Sequence, residues 1–246
     1  MPLEPGSVLL DGRVAVVTGA AQGIGRAVAE ALGAFGASVA ACDRNADGLA
    51  TLAAPVTEVL DVRDGAAVAR FVARLERVDV LVNNAGGTFK APFLDVSPSG
   101  QQALVDENFT SVTHFVRACS PLMREGGSII NITSIEAHRA GPGFAVYAAM
   151  KAAVENLTKS LALELGGRGV RVNCIAPDDI PTPGVGPLAV KTPLPNQGHV
   201  DDVAGAAIFL ASDLSRFVTG TTIHVDGGNW AAAGWHRTSD GSFTPR

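Results

Sequence analysis

Two rhythms of apolar and polar positions alternate along the chain. Short, β-branched runs recur at Val14–Thr18, Ser38–Cys42, Thr57–Leu60, Val78–Asn83, Ser128–Thr133, Val170–Ala176 and Thr221–Val225. Several are apolar on both faces, as strands covered by helices on either side must be. Between them apolar residues return at helical spacing. Ile24, Ala27, Val28, Ala31, Leu32 and Phe35 make one such stripe, and Val68, Phe71, Val72 and Leu75 another. This alternation predicts right-handed βαβ units and an α/β fold: a doubly wound Rossmann sheet of seven parallel strands with helices on both faces. No solenoid repeat interrupts it, and the 246 residues suit one domain over 1–246.

One segment lacks either rhythm. Residues 177–200 hold six of the fourteen prolines, at 177, 181, 183, 187, 193 and 195. So long a connection inside an α/β domain predicts a lid over a binding cleft, because it follows the C-terminal end of a strand; the alternative is a meandering surface loop.

Composition narrows the classes. With 47% hydrophobic and 17% charged residues the chain is built to bury a core, not to stay disordered. A net charge of −5 without any Lys/Arg run argues against nucleic acid as a partner. No uninterrupted apolar stretch reaches the ~20 residues of a membrane span, and Met1 to Leu10 lacks a cationic, apolar leader, so a cytoplasmic location without membrane contact is expected. Cys42, Cys119 and Cys174 are odd in number, far apart and set in apolar stretches, which predicts buried thiols and no metal site.

Candidate chemistry begins after the first strand, which runs into Thr18-Gly19-Ala20-Ala21-Gln22-Gly23-Ile24-Gly25 and then a helix. Glycines there allow a tight turn and close backbone approach to a pyrophosphate, while the helix N-terminus presents N–H groups and a positive dipole end. Asp43 follows the second strand, eighteen residues beyond Gly25. A carboxylate at that place can accept from both adenosine ribose hydroxyls and would repel a 2′-phosphate, although a turn or helix-cap aspartate is also common there. Gln22, where a base would serve a 2′-phosphate, tilts the expectation towards NAD(H), and adjacent Arg44 pulls the other way.

The chain's one tyrosine lies in Tyr147-Ala148-Ala149-Met150-Lys151. At i and i+4 the phenol and the amine share a helix face. An ammonium nearby, together with an oxidised nicotinamide, favours the phenolate over a free tyrosine that titrates near ~10. Ser134 ends the fifth strand, Asn83-Asn84-Ala85-Gly86 ends the fourth, and Asn108 sits in the helical stretch that follows. Polar groups therefore gather at C-terminal strand ends, where open α/β sheets bind ligands.

In this order and spacing the motifs resemble the short-chain dehydrogenase/reductase family, over about Gly12 to Gly228. The resemblance implies strand order 3-2-1-4-5-6-7 and an enzyme acting on CH–OH groups. It implies Tyr147 as general acid/base on the substrate oxygen, Ser134 hydrogen-bonded to that oxygen, Lys151 lowering the tyrosine and holding the nicotinamide ribose, and Asn108 holding a relay water. Asp61 and Val62 would flank adenine, Asn84 and Gly86 the adenosine ribose, and Ile180 and Thr182 the carboxamide after Pro177. A homotetramer, or a homodimer, is the implied assembly. Pro177-Asp178-Asp179 departs from the family's usual Pro-Gly; an aspartate tolerates the left-handed backbone that such a turn can require.

The substrate side is thinner. Gly87, Thr88, Phe89, Ile135, Glu136, His138, Val185, Leu188 and Val190 are expected along the wall, mostly small or apolar, which suits a bulky, weakly polar alcohol or ketone. Glu136 is read either as orienting a hydroxyl and repelling anions or as a solvent-facing carboxylate. His138 is expected to be a surface or satisfied histidine, and His199 and Asp201 the cap of a helix near 201–211. Trp230 and Trp235, in a tail over about 229–246, argue for burial of that tail, which by the family resemblance would pack at a subunit interface; a loose tail is the alternative. The tail, Gly-Gly-Thr and Ile-Glu segments also resemble actinobacterial dehydrogenases of steroid breakdown, which implies a hydroxysteroid-like substrate. The alternatives are a 3-oxoacyl-thioester (acyl-carrier-protein) reductase and a non-catalytic NAD-binding sensor.

Overall fold

All seven predicted runs are strands, their ends moved by one or two residues. They are β1 (Val14–Thr18), β2 (Ser38–Asp43), β3 (Val56–Val59), β4 (Val80–Asn83), β5 (Ser128–Ile132), β6 (Arg171–Pro177) and β7 (Thr222–Val225). The computed structural model describes residues 2–124, 126–183, 190, 192–238 and 241–245. In it the seven strands form one parallel sheet in the order β3-β2-β1-β4-β5-β6-β7, with Val16 of β1 paired to Ala40 on one side and Leu81 on the other. The chain thus winds outward from β1 in both directions, and the β1/β4 boundary is its switch point.

Alternation along β1 divides the core. Ala15 and Val17 face α1 (Gly23–Ala34) and α7 (Val200–Ala211), while Val16 faces α3 (Gly65–Val72), α5 (Ser111–Cys119) and α6 (Ala145–Gly166). The stripe residues Val28, Leu32, Val68, Phe71 and Val72 are all buried, as their spacing predicts. The three thiols are buried and free, and burial raises all three, Cys119 to about 12 and Cys174 to about 11, so none is a thiolate at neutral pH.

A polar thread crosses this core. Asn83 Nδ2 donates to Asn131 Oδ1 at 2.8 Å, Asn131 Nδ2 donates to Thr158 Oγ1 at 2.8 Å, and Thr158 Oγ1 donates to Val154 O at 2.9 Å. It ties β4 and β5 to α6, the helix that bears Tyr147. Replacing Asn131 with alanine strands the Asn83 amide donor in the interior and is expected to lower unfolding free energy by about 1–3 kcal/mol. Urea melts check this, and an unchanged midpoint would mean that the thread contributes nothing net.

The remaining elements differ more from expectation. The helical stretch around Asn108 is interrupted: α4 (Pro98–Val105) and α5 are joined by a π-helical turn over Asp106–Thr110. His199 does cap α7, its Nδ1 accepting from Asp201 N at 3.3 Å while Asp202 accepts from His199 N. The tail forms α8 (Asn229–Ala232) and an antiparallel ribbon of β8 (Trp235–Arg237) with β9 (Phe243–Pro245). It lies on the surface of the single chain, where Trp230 is 43% and Trp235 51% exposed. Trp230 stacks on His224 at 5.9 Å and meets His138, tilted, at 5.5 Å between ring centroids. No helix among the described residues is long and apolar enough to cross a membrane.

Candidate active site

Beyond the strand C-termini at the switch point lies a cleft of about 660 Å³. Its near edge is the glycine turn. Gly19 (φ +67°) and Gly23 (φ +58°) adopt the left-handed backbone that side chains disfavour. Gly25 is required for a different reason: a Cβ there would lie 2.1 Å from Gly19 O. Asn84 Nδ2 locks the turn by donating to Thr18 O at 3.0 Å and Gly19 O at 3.1 Å. Its amide therefore holds the backbone and does not reach out to a ribose. Thr18 Oγ1 accepts from the N–H groups of Asn84 and Ala85 at 3.0 and 2.9 Å. Gln22 begins α1 without a side-chain cap, and this uncapped N-terminus beside a Cβ-free turn fits a dinucleotide's pyrophosphate.

Asp43 takes the turn role foreseen for it. One carboxylate oxygen accepts from Ala21 N at 3.0 Å and the other from Asn45 N at 2.9 Å, bracing the turn before α2 (Ala46–Ala50), and the side chain still lines the cleft. Arg44 projects outward and lies 3.8 Å from Glu107. Asp61 is gripped by the Arg63 guanidinium, which holds its carboxyl below the usual range, and Val62 is buried next to it.

The opposite edge is Pro177 to Thr182. A Cβ on Gly23 would come within 3.1 Å of Thr182 Cγ2, so this segment closes against the glycine turn. Asp178 does not supply a left-handed turn: Ala233 is the only non-glycine residue at positive φ among the described residues. Instead its side chain, 8% exposed, accepts from Asn229 Nδ2 at 2.5 Å and faces Arg139 at 3.5 Å. The charge of Asp178 is thereby compensated.

The reacting groups line the cleft between these edges. Ser134 ends the loop after β5; its Oγ accepts from Glu136 N at 3.2 Å, and the Ser134 side chain also hydrogen-bonds Tyr147. One turn along α6, Lys151 Nζ lies 5.6 Å from the Tyr147 ring centroid and donates to Ile132 O at 3.0 Å. Burial pulls Lys151 down to about 8. Burial also pushes the Tyr147 phenol up, with Glu136 adding to the rise and Ser134 opposing it. In the free protein, then, loss of hydration outweighs the lowering by Ser134, and the lowering expected from the neighbouring ammonium does not emerge. Asn108 is fully buried: its Nδ2 donates to Gly87 O and Leu104 O, both at 2.9 Å, and its Oδ1 accepts from Gly87 N at 3.3 Å. Gly86 separates the two groups, since a Cβ there would lie 2.8 Å from Asn108 Oδ1 and 3.2 Å from Lys151 Nζ.

Every predicted cofactor or catalytic residue lines the cleft except Gly25 and Asn108, which support it from behind. Of the substrate candidates Gly87, Thr88, Ile135 and Glu136 line it. Phe89 does not; its ring lies over Gly100. His138 turns away, with Nδ1 3.3 Å from Glu155. Val190 borders an adjoining cavity, while Val185 and Leu188 fall outside the described residues. Sequence reading missed Glu107, Phe144 and Arg139. Arg139 had a signal, its i+3 spacing from Glu136; Phe144 had none.

A family model described as enoyl-(acyl carrier protein) reductase matches residues 19–229. The gluconate 5-dehydrogenase of Gluconobacter oxydans is 36% identical, with 92% of this chain and 97% of that protein aligned. The 3-oxoacyl-[acyl-carrier-protein] reductase of Synechocystis is 40% identical over 89% and 97% of the two chains. A crystal structure of a gluconate 5-dehydrogenase from Burkholderia cenocepacia, in complex with NADP and tartrate, superposes with a TM-score of 0.86 at 37% identity, covering 92% and 98%. The chain belongs to the short-chain dehydrogenase/reductase family. As a short-chain dehydrogenase/reductase it is an oxidoreductase of alcohol or ketone substrates that uses a nicotinamide cofactor.

Proposed function

We propose that this short-chain dehydrogenase/reductase moves a hydride between NAD(H) and a secondary alcohol or ketone. The observation that carries the reading is the convergence of Ser134, Tyr147 and Lys151 on one wall of a cleft whose other wall is the glycine turn. The bound nicotinamide supplies the hydride-exchanging carbon and, when oxidised, a positive charge. Tyr147 gives its proton to the carbonyl oxygen in reduction and takes it back in oxidation. Ser134 orients that oxygen. Lys151 sets the tyrosine's charge and holds the ribose, and Asn108 anchors the relay behind Gly86. Around the dinucleotide, Gly19, Gln22, Gly23, Ile24 and Gly25 take the pyrophosphate, Asp43 the adenosine ribose, with Arg44 beside it, and Asp61 and Val62 the adenine. Asn84 and Gly86 back the ribose, and Pro177, Ile180 and Thr182 take the carboxamide.

Preference for NAD(H) rests on Asp43, whose carboxylate faces the cleft where a 2′-phosphate would add a second negative charge. Initial rates with the two cofactors test it. We expect kcat/KM to favour NADH by about 100-fold, some 2.8 kcal/mol, and Asp43→Ala to lose nearly all of that ratio, ending near parity. A wild-type preference for NADPH, the cofactor form in the Burkholderia structure, would overturn this choice.

A hydroxysteroid-like skeleton would find Ile135, Phe144 and Ile180 along the wall, but Glu136, Asp178 and Asp179 share it. A homotetramer or homodimer is supported by Leu163 and Phe217, which are 85% and 100% exposed in the single chain.

A further inference from the structure

We infer that Glu136 makes this site selective for secondary alcohols and ketones whose substituents are uncharged or cationic, and that it rejects those bearing an anionic group near the reacting carbon. The inference rests on the oxidoreductase reading above and adds the substrate class.

The site does not end at Tyr147. A second cavity of about 440 Å³ adjoins the cleft, and Glu136, Phe144, Asp178 and Asp179 are walls common to both. A substrate with its carbinol at Tyr147 can extend its other substituents into this chamber. Carboxylates stand at the junction. Glu136 Oε1 accepts from Arg139 Nε at 3.1 Å and from a terminal guanidinium nitrogen at 2.8 Å, and that same terminal nitrogen reaches Asp178 at 3.5 Å. One guanidinium thus answers two carboxylates. Arg139 is consequently committed and is not a ready anchor for a substrate anion.

The second oxygen of Glu136 strengthens the point. Oε2 is buried, has no hydrogen-bond partner, and lies against Gly141, where a Cβ would come within 2.8 Å. No donor offsets that oxygen, so among the described residues Arg139 alone partners the Glu136 carboxylate. The groups facing Glu136 are Arg139, the Tyr147 phenol and, through Arg139, Asp178. The negative charge of Glu136 is felt at the reaction centre, since it contributes to the raised titration of Tyr147. A carboxylate or phosphate on the substrate would meet that charge in a partly desolvated cleft, where like charges a few ångströms apart cost roughly ten- to a hundredfold in kcat/KM.

Two measurements test this on the intact holoenzyme and its Glu136→Gln variant. The first compares NADH-linked reduction of matched ketones, 4-oxocyclohexanecarboxamide against 4-oxocyclohexanecarboxylate and 4-oxopentanamide against 4-oxopentanoate. Wild type is expected to favour the amides by about tenfold or more in kcat/KM, and the variant to narrow that ratio to within about threefold. A ratio of amide to acid does not depend on how much of the variant is folded. Equal use of acid and amide by wild type, or an unchanged ratio in the variant, overturns the assignment while leaving the dehydrogenase reading intact. Failure of wild type on all four ketones counts against the dehydrogenase reading instead. The second measurement needs no turnover: Tyr147 is the one tyrosine, so phenolate absorbance reports its titration directly. Glu136→Gln is expected to lower the Tyr147 titration midpoint, and an unmoved midpoint overturns the charge effect on which the selectivity depends.

Discussion

Replacing Tyr147 with phenylalanine is expected to lower kcat about a thousandfold or more in both directions while NADH still binds with an affinity within a few-fold of wild type. The phenol is the only group in the cleft with a titratable proton, reach to a substrate oxygen and a cation one helical turn away. Ser134 faces it with a hydroxyl that does not ionise near neutral pH, and Lys151 Nζ is turned to the Ile132 carbonyl, 3.0 Å away. Phenylalanine keeps the ring that packs in the wall, so the fold and the dinucleotide site survive. Stopped-flow turnover and NADH fluorescence titration separate the two readouts. Turnover retained within tenfold would reject Tyr147 as the acid–base group. The direction of the pH dependence follows from the same site. Burial holds the phenol protonated, so alcohol oxidation, which needs the deprotonated form, is expected to accelerate as pH rises, and ketone reduction to slow.

Gly25→Ala is expected to cut NADH affinity by about 100-fold, near 2.8 kcal/mol, and to lower thermal stability as well. Judged by helix propensity alone, the change should stabilise α1 by about 1 kcal/mol, because alanine is the better helix former. Packing reverses the sign. The new Cβ would lie 2.1 Å from Gly19 O and 2.3 Å from Asn84 Nδ2, and neither neighbour can yield cheaply. Gly19 O belongs to the backbone of the turn, and Asn84 Nδ2 is the donor that holds it. Either the turn opens or α1 moves away from it, and both displace the helix N-terminus from the phosphate position. NADH titration and a thermal melt with and without cofactor provide the check; affinity within threefold of wild type would show that the close approach at Gly25 is dispensable.

How much of this was readable beforehand depends on the range of the forces involved. Strands such as Val14–Thr18 and Ser128–Ile132 lie between two helical layers, so nearly every side chain is buried and the sequence is mostly apolar, with Ser128 and Asn131 hydrogen-bonded inside. That constraint is local and shows in the composition of a five-residue window. The same holds for the glycine turn, where positive φ at Gly19 and Gly23 restricts the residue type directly, and for Tyr147 and Lys151, whose common face follows from helix geometry. Strand order came from motif resemblance and not from the strands themselves, since parallel pairing leaves no mark in any one of them.

Contacts between distant segments were less legible. Asp178 reads locally as a substitute for a flexible turn residue, yet its role is set by Asn229, 51 positions later, and Arg139, 39 positions earlier. Phe89 reads as a pocket residue by its place after Asn-Asn-Ala-Gly-Gly-Thr, but its ring finds space over Gly100. The tail tryptophans read as buried by size, and within one chain the ribbon that carries Trp235 leaves that ring half exposed.

By itself the sequence determined the alternation of strand and helix, the cofactor turn and the identity of the reacting groups, because backbone geometry and periodic burial act within a few residues. Only the tertiary structure decided which charges face one another across the cleft, that Asn84 spends its amide on the turn, and that Glu136, Arg139 and Asp178 form one cluster. Those outcomes depend on pairing between loops after β5, β6 and β7, which the chain brings together in space and nowhere in sequence.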